Sequence, residues 1–297
     1  MNNSYESCAL CARRCMVDRS CAVGFCGMPS DMYISRAALH MWEEPIISGT
    51  HGSGTIFFSG CSLKCKFCQN REISRGRVGK SVTCAELADI MIKLQVDGAH
   101  NINFVTPTHY IPSVREAVII AKQRGLSVPI VYNTSSYDTP EALATLDGLV
   151  DIYLPDFKYF TSKTAGDLSL ASDYPSGAKL AIAEMVRQTG DAVLSDDGML
   201  LRGTVVRILL LPTHVAEAKL VLKYLYDTYG DSIYISLMNQ YTPPSDMLPP
   251  LNRTVTHDEY RQLTDYALKL GVKNAFVQEW GTASESFIPD FDLVGLK

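Results

Sequence analysis

Three cysteines that follow a short apolar strand constrain this chain more than any other feature. Residues 54–59 form an apolar, β-branched run typical of a buried strand, and Cys61, Cys65 and Cys68 come directly after it. Three thiolates on one loop can hold three corners of a cubane iron–sulfur cluster and leave the fourth iron without a protein ligand. A small molecule can coordinate that open corner, so the loop is predicted to be catalytic. The alternative is a zinc loop, although a structural zinc site normally has four protein ligands.

The spacing C-x3-C-x2-C, with the aromatic Phe67 just before the last cysteine, resembles the radical S-adenosylmethionine (SAM) superfamily. The resemblance implies that Cys61, Cys65 and Cys68 ligate a [4Fe-4S] cluster. Its unique iron would bind the amino and carboxylate groups of SAM, with Phe67 near the adenine. The resemblance further implies reductive cleavage of SAM to methionine and a 5′-deoxyadenosyl radical, which abstracts a hydrogen atom. In such enzymes the protein supplies binding, orientation and exclusion of side reactions.

Composition and charge narrow the class of protein. A chain of 297 residues can bury a large core, and its net charge of −5 is spread over interspersed residues, so no basic stripe indicates nucleic acid. No apolar run approaches the roughly 20 residues of a membrane span. The first residues lack the features of a signal peptide. Nine cysteines in such a chain indicate metal sites in a reducing cytoplasm rather than disulfides.

The Cys-rich stretch at residues 1–30 is predicted to be a small metal-binding segment, because it contains few apolar residues and many thiols. Its predicted ligands are Cys8, Cys11, Cys15 and Cys26. The fifth cysteine of the segment, Cys21, is not a predicted ligand. Zinc suits a tetrahedral cysteine site, but the same ligands would hold iron or a second iron–sulfur centre. Free thiols or a disulfide pair are the alternatives. Residues 24–27 resemble the last metal knuckle of N-terminal segments in one branch of radical SAM proteins. That branch is similar to the pyruvate formate-lyase activating enzyme and its uncharacterised relatives.

Residues 31–53 are expected to connect this segment to the main domain. The simpler interpretation is a surface connector that packs Trp42 on the barrel, since single exposed charges rarely indicate chemistry. In relatives, however, a similar W-E-E-P-x-I-S-G run precedes the first strand. That resemblance implies that Glu43 or Glu44 approaches the SAM pocket.

After the cysteine loop, strands alternate with helices, which predicts a parallel sheet with helical crossovers. Thr83, for example, is predicted to cap a helix over residues 84–96. Six such units match the core of radical SAM enzymes. The predicted fold is therefore α/β, an incomplete (β/α)6 TIM-like barrel over residues 54–280, with a C-terminal tail at residues 281–297.

Polar residues follow most of the predicted strands, and the carboxyl ends of barrel strands meet at one face. Residues 133–137, 156–158 and 205–212 are similar to the D-T-N-G, D-L-K and V-x-R-x-x-V-x-P stretches of glycyl-radical activating enzymes. Residues 106–110 instead resemble a T-P-T-H-Y variant of the uncharacterised branch and lack the G-G-E-like glycines of many relatives. The resemblance implies a SAM site made of Phe67, Thr108, His109, Asn133, Ser135, Asp156, Lys158, Arg207 and Gln240.

Each of these residues also has a simpler interpretation. His109 would be an ordinary loop histidine, and Asn133 a common turn former. Asp156 and Lys158 would be a surface pair of little energetic value. Arg207 is either a member of an interior ion pair or a contact to the SAM carboxylate or ribose. No residue is assigned as catalytic.

Two hypotheses for the function follow. In the first, the chain is an enzyme that cleaves SAM with an electron from a donor such as flavodoxin or ferredoxin. Its substrate is then a glycine of a partner glycyl-radical enzyme, or another small molecule or peptide. In the second, it is a non-catalytic iron–sulfur scaffold or maturation protein. The polar strand ends favour the enzyme, because a scaffold would need only the cysteines. No residue pattern identifies the substrate.

Overall fold

The computed structural model of the chain describes residues 5–76, 78–280 and 289–296 and confirms the predicted α/β fold. The strands are β1 (Met32–His40), β2 (Ser53–Phe58), β3 (Lys80–Val82), β4 (Ile102–Val105), β5 (Ile130–Thr134), β6 (Ile152–Pro155), β7 (Val193–Leu194), β8 (Leu200–Leu209), β9 (Tyr234–Met238) and β10 (Ala275–Val277). The helices are α1 (Pro45–Ser48), α2 (Arg71–Ser74), α3 (Cys84–Val96), α4 (Ile111–Gln123), α5 (Pro140–Ala144), α6 (Ser162–Ser169), α7 (Tyr174–Thr189), α8 (Val215–Tyr229) and α9 (His257–Leu270).

One sheet runs through the molecule in the order β10-β9-β8-β6-β5-β4-β2-β1-β3, with β7 beside β8. From β2 to β10 all neighbours pair in parallel, whereas β1 is antiparallel to both β2 and β3. The six strands β2, β4, β5, β6, β8 and β9 are those of the expected barrel, and β10 adds a parallel strand at the edge. Because the two ends of this order do not pair, the barrel is incomplete.

Local sequence signals account for the helices that cover the sheet. Helix α3 begins at the residue that the sequence predicted, with Thr83 as its N-cap. The Thr83 side chain accepts a hydrogen bond from the Glu86 backbone, and the Glu86 carboxylate accepts one from the Thr83 backbone. Such caps contribute about 1 kcal/mol each. The buried face of α3, which includes Leu87 and Met91, packs in the same cluster as Phe104 of β4. None of the helices in the described part of the chain has the length and apolar composition needed to cross a bilayer.

The connector at residues 31–53 has more structure than the sequence indicated, because it contains strand β1. The polarity of this strand does not alternate cleanly, since Ser35 is buried while Leu39 is 38% exposed. That is why the pattern did not predict it. In the antiparallel register His40 lies opposite Ser53, so β1 carries the chain from the cysteine-loop end of β2 to its other end.

Helix α1 then enters the barrel interior from the amino ends of the strands. Its Ile47 is fully buried and belongs to an apolar cluster with Val131 of β5, Ile152 and Leu154 of β6 and Val205 of β8. A partial barrel leaves its interior open, and α1 fills one end of it. The residues just before α1 therefore lie beneath the space that remains toward the carboxyl ends of the strands.

Candidate active site

A cavity of about 230 Å³ lies in the barrel beyond α1. Its wall is formed by the loop after β2, by residues at the carboxyl ends of β4, β5, β6, β8 and β9, and by His40, Trp42 and Glu43 of the connector. The residues predicted for the site that line it are Cys61, Cys65, Phe67, Cys68, Asn133, Ser135, Asp156, Lys158, Arg207 and Gln240. The structure therefore brings groups up to 179 positions apart into one space, as barrel geometry requires.

The cysteine loop is shaped by tight packing at its first residue. Gly60 has a φ of +83°, and a Cβ there would lie 2.1 Å from Met28 Cγ, so only glycine fits. The loop backbone is then tied to its neighbours, because Gly60 N–H donates to Ile73 O at 2.8 Å and Lys66 N–H donates to Leu168 O at 2.9 Å. These contacts hold the three thiols on one side of the cavity.

The loop thiols fit a cluster that binds through sulfur. Burial, together with the neighbouring Cys65 and Cys68, raises the pKa of the Cys61 thiol to about 12, so a bound metal is needed to deprotonate it. Three soft donors face the same cavity, and the space continues past them between polar side chains. This donor set would suit three irons of a [4Fe-4S] cluster, and the fourth iron would have no ligand among these three cysteines.

A charged network also lines the cavity. The Arg207 guanidinium donates to Asp156 Oδ1 at 2.8 Å, to Asn133 Oδ1 at 2.6 Å and to Glu43 Oε2 at 3.3 Å. Lys158 Nζ donates to the second oxygen of Asp156 at 2.6 Å. Arg207 thus belongs to an interior ion-pair network and also lines the cavity, whereas its contact to SAM stays a prediction.

The protonation of the two carboxyl groups in this network differs. Burial opposes the ionisation of Asp156, but the Arg207 guanidinium and the Lys158 ammonium outweigh it and lower its pKa. At Glu43 burial prevails over the nearby Arg207 and raises the pKa. Asp156 is therefore a fixed anion between two cations, whereas Glu43 is the carboxyl group that more readily takes up a proton.

The sequence left open whether Glu43 lies on a surface connector or in the pocket. Glu43 lines the cavity, and its Oε1 accepts hydrogen bonds from Asn103 Nδ2 at 3.0 Å and Asn133 Nδ2 at 3.4 Å. The preceding Trp42 also lines the cavity and is 58% exposed. The W-E-E-P run was the available signal, but only the path of β1 and α1 shows why a connector residue reaches the interior.

Two of the residues predicted for the SAM site do not line this cavity. Thr108 Oγ1 lies 3.3 Å from Thr134 Oγ1, and His109 Nε2 donates to Ser59 O at 2.7 Å. Burial, aided by the charge of Arg19, lowers the pKa of His109 to about 3, so the imidazole is neutral. Thr106 of the same stretch does line the cavity, with a φ of +59° that is unusual for a β-branched residue.

The thiols of the N-terminal segment lie apart from the cavity. A Cβ placed on Gly24 would lie 3.4 Å from both Cys15 Sγ and Cys26 Sγ, so these two sulfurs face a common space. The fully buried Arg19 donates to Cys8 Sγ at 3.8 Å. Among residues 5–76, 78–280 and 289–296, no three histidine, cysteine or acidic side chains are placed to hold a single metal ion. The metal centre of this segment stays a prediction.

Part of the chain matches a known family, and one relative resembles it over most of its length. Residues 55–195 match the family model of the radical SAM superfamily. The chain is 29% identical over 278 residues to an uncharacterized protein of Methanocaldococcus jannaschii. The matched region covers 90% of this chain and 76% of that protein.

Solved structures resemble the chain in fold. SuiB of Streptococcus suis, solved with its precursor peptide SuiA, has a TM-score of 0.52 and 13% identity over 75% of this chain and 47% of that chain. Methylornithine synthase has a TM-score of 0.51 and 17% identity over 73% of this chain and 60% of that chain. This chain therefore spans about half the length of these larger proteins.

Proposed function

We propose that the chain, which matches the radical SAM family model over residues 55–195, is a radical SAM enzyme that cleaves SAM reductively and abstracts a hydrogen atom from a substrate. Members of this superfamily are enzymes, and their cofactors are a [4Fe-4S] cluster and SAM. When bound, the cluster supplies one electron that splits SAM into methionine and a 5′-deoxyadenosyl radical, which takes the hydrogen atom. The single observation that supports this best is that three thiols and a network of fixed charges line the same cavity.

The residues of this chain have distinct roles in the proposal. Cys61, Cys65 and Cys68 hold the cluster. The cavity also carries both signs of charge, because Lys158 and Arg207 lie beside the carboxyl groups of the network. This suits SAM, which carries an ammonium, a sulfonium and a carboxylate. A scaffold protein that never turned over SAM would have no use for such a network.

The N-terminal thiols belong to the proposal as a second, separate centre. We propose that Cys8, Cys11, Cys15 and Cys26 hold zinc or an iron–sulfur centre. Cys8, Cys11 and Cys26 are buried, whereas Cys21 is exposed and is left out. Four cysteine ligands would leave no open position, which is the arrangement of a structural site.

We propose a polypeptide as the substrate, either a glycine of a partner glycyl-radical enzyme or a peptide. SuiB, which resembles this chain in fold, was solved with its precursor peptide SuiA. Flavodoxin or ferredoxin would supply the electron.

Formation of 5′-deoxyadenosine tests the proposed reaction. The anaerobically reconstituted protein is incubated with SAM and dithionite, and methionine and 5′-deoxyadenosine are measured by mass spectrometry. We expect both products in equal amounts, and none from the Cys68→Ala variant. The Cys84→Ala variant is the matched control, because Cys84 lies at the start of α3, outside the cavity. A loaded wild-type protein that leaves SAM intact would disprove the proposal.

A deuterated extract tests the proposed substrate class. Cells grown in heavy water are lysed without oxygen, and the extract is separated by ultrafiltration into macromolecules and small molecules. Because the abstracted atom ends on the 5′ carbon, 5′-deoxyadenosine acquires deuterium only from the fraction that holds the substrate. We expect deuterium with the macromolecular fraction. Deuterium from the small-molecule fraction alone would replace the polypeptide with a metabolite.

A further inference from the structure

Cys65 has the shortest hydrogen bond of the three loop cysteines. Its Sγ accepts a hydrogen bond from the hydroxyl of Ser169 at 2.9 Å. Cys61 Sγ accepts one from the Leu63 backbone N–H at 3.4 Å, and Cys68 Sγ donates one to Ser74 Oγ at 3.5 Å. The Ser169 contact joins residues 104 positions apart, so it depends on the tertiary fold and not on the loop itself.

The hydroxyl of Ser169 is oriented by a second buried group. Tyr159 Oη lies 2.6 Å from Ser169 Oγ, and both residues are almost completely buried. A serine hydroxyl has one hydrogen to donate. If that hydrogen points to Cys65 Sγ, the tyrosine must donate to the serine oxygen, which gives a directed chain from Tyr159 through Ser169 to the sulfur. Such a chain polarises its members and strengthens the last hydrogen bond.

The backbone at Ser169 is held against the cysteine loop as well. Ser169 O accepts from Lys64 N–H at 3.4 Å. Arg13, from the N-terminal segment, donates through Nε to Ser62 O at 3.1 Å and through Nη2 to Ser169 O at 3.4 Å. Arg13 thus bridges the loop and the end of α6, so the hydroxyl has little freedom to move away from the sulfur.

We infer that Ser169 is a positioning residue for the cluster, which fixes Cys65 and raises the reduction potential of the bound [4Fe-4S] group. The inference rests on the proposed function, because it concerns the cluster that the loop would hold. A hydrogen bond to a ligand sulfur stabilises the reduced cluster, which carries one more negative charge than the oxidised cluster. Loss of the donor makes the electron harder to add.

The experiment is a redox titration of the loaded full-length protein without SAM, followed by electron paramagnetic resonance of the reduced cluster. In Ser169→Ala we expect the ratio of reduced to oxidised cluster at a fixed potential to fall about threefold to tenfold. The tenfold limit is a shift of about 59 mV to lower potential for one electron. Ser162→Ala is the matched control, because Ser162 lies exposed at the other end of α6, and it should titrate like the wild type.

Tyr159→Phe provides a second measurement, since it removes the donor to Ser169 but keeps the ring. We expect a smaller shift in the same direction. An unchanged potential in loaded Ser169→Ala would overturn the inference. If Ser169→Ala fails to take up a cluster, an unchanged reduction potential in loaded Tyr159→Phe would overturn the inference instead. A wild-type protein that assembles no cluster would instead overturn the proposed function, so the two failures can be told apart.

Discussion

The N-terminal segment and the loop after β2 both present cysteines, but they present them in opposite ways. In the N-terminal segment Cys8 and Cys26 are buried near the buried Arg19 and lie apart from the cavity. In the loop the three thiols face a space that continues toward charged side chains. A set of four ligands suits a closed centre, whereas three ligands and an open side suit a cluster that binds a second molecule. Four thiols away from the cavity therefore predict a structural centre, whereas three thiols that line a cavity predict a reactive one.

The N-terminal segment also contacts the loop after β2. A Cβ on Gly60 of the loop would lie 3.0 Å from the Cys26 backbone oxygen. Arg13 bonds to the loop at Ser62 O. Arg19 donates to the His109 backbone oxygen, and the His109 ring bonds to Ser59 O just before the loop. The N-terminal segment thus forms part of the support of the reactive loop.

The largest expected effect separates the two metal sites. The triple variant Cys61→Ala, Cys65→Ala, Cys68→Ala should lose the paramagnetic signal of the SAM-binding cluster and all formation of 5′-deoxyadenosine. It should keep the metal of the N-terminal segment, measured by elemental analysis, and a far-ultraviolet circular dichroism spectrum like that of the wild type. Retained 5′-deoxyadenosine formation would contradict the reactive role of the loop. A folded but metal-free variant would contradict the second centre.

The next largest effect concerns the N-terminal segment alone. Cys26→Ala should lower the metal content and the thermal unfolding midpoint, because binding free energy of a structural metal is folding free energy. Cys21→Ala is the matched control, since Cys21 is exposed and lies outside the proposed ligand set. Differential scanning calorimetry without oxygen measures the midpoints. Equal midpoints and equal metal contents in the two variants would show that the segment does not fold around a metal.

A smaller effect is expected in the charged network of the cavity. Arg207→Ala should weaken SAM binding about tenfold or more, since loss of a charged hydrogen bond costs roughly 1.5–3 kcal/mol. It would also leave Asp156 and Glu43 without their guanidinium. Arg207→Lys, which keeps the charge but not the planar fork, should recover part of the affinity. Calorimetric titration of the loaded proteins with SAM checks this, and unchanged affinity in folded Arg207→Ala would remove Arg207 from the SAM site.

The smallest effect is a dependence on pH at the floor of the cavity. The pKa of Glu43 is raised by burial, so the folded protein holds this proton more tightly than the unfolded chain does. The stabilisation from Glu43 is therefore complete below the unfolded pKa of about 4.3 and is lost as pH rises through the folded value. The unfolding midpoint of the wild type relative to Glu43→Gln should fall as pH increases from 5 to 8. A difference that is constant or grows with pH would contradict the raised pKa.

Much of the framework followed from local patterns. The spacing of Cys61, Cys65 and Cys68 after an apolar strand indicated the cluster loop, and the Thr83 cap predicted the start of α3. Strand ends such as Asn133 and Lys158 were expected to meet at one face, and both line the cavity. These predictions depended on spacing and on the rule that parallel strands share their carboxyl ends, both of which are readable along the chain.

The tertiary structure alone decided what lies around those residues. Glu43 reaches the cavity because β1 and α1 return through an incomplete barrel, and Ser169 meets Cys65 because α6 ends beside the loop. Thr106 lines the cavity while His109 turns toward Ser59, a difference of three positions on one short segment. The sequence determined which groups this protein has for the proposed cluster and SAM site. Only packing decided which way each one faces, because direction depends on contacts between residues that are distant in the chain.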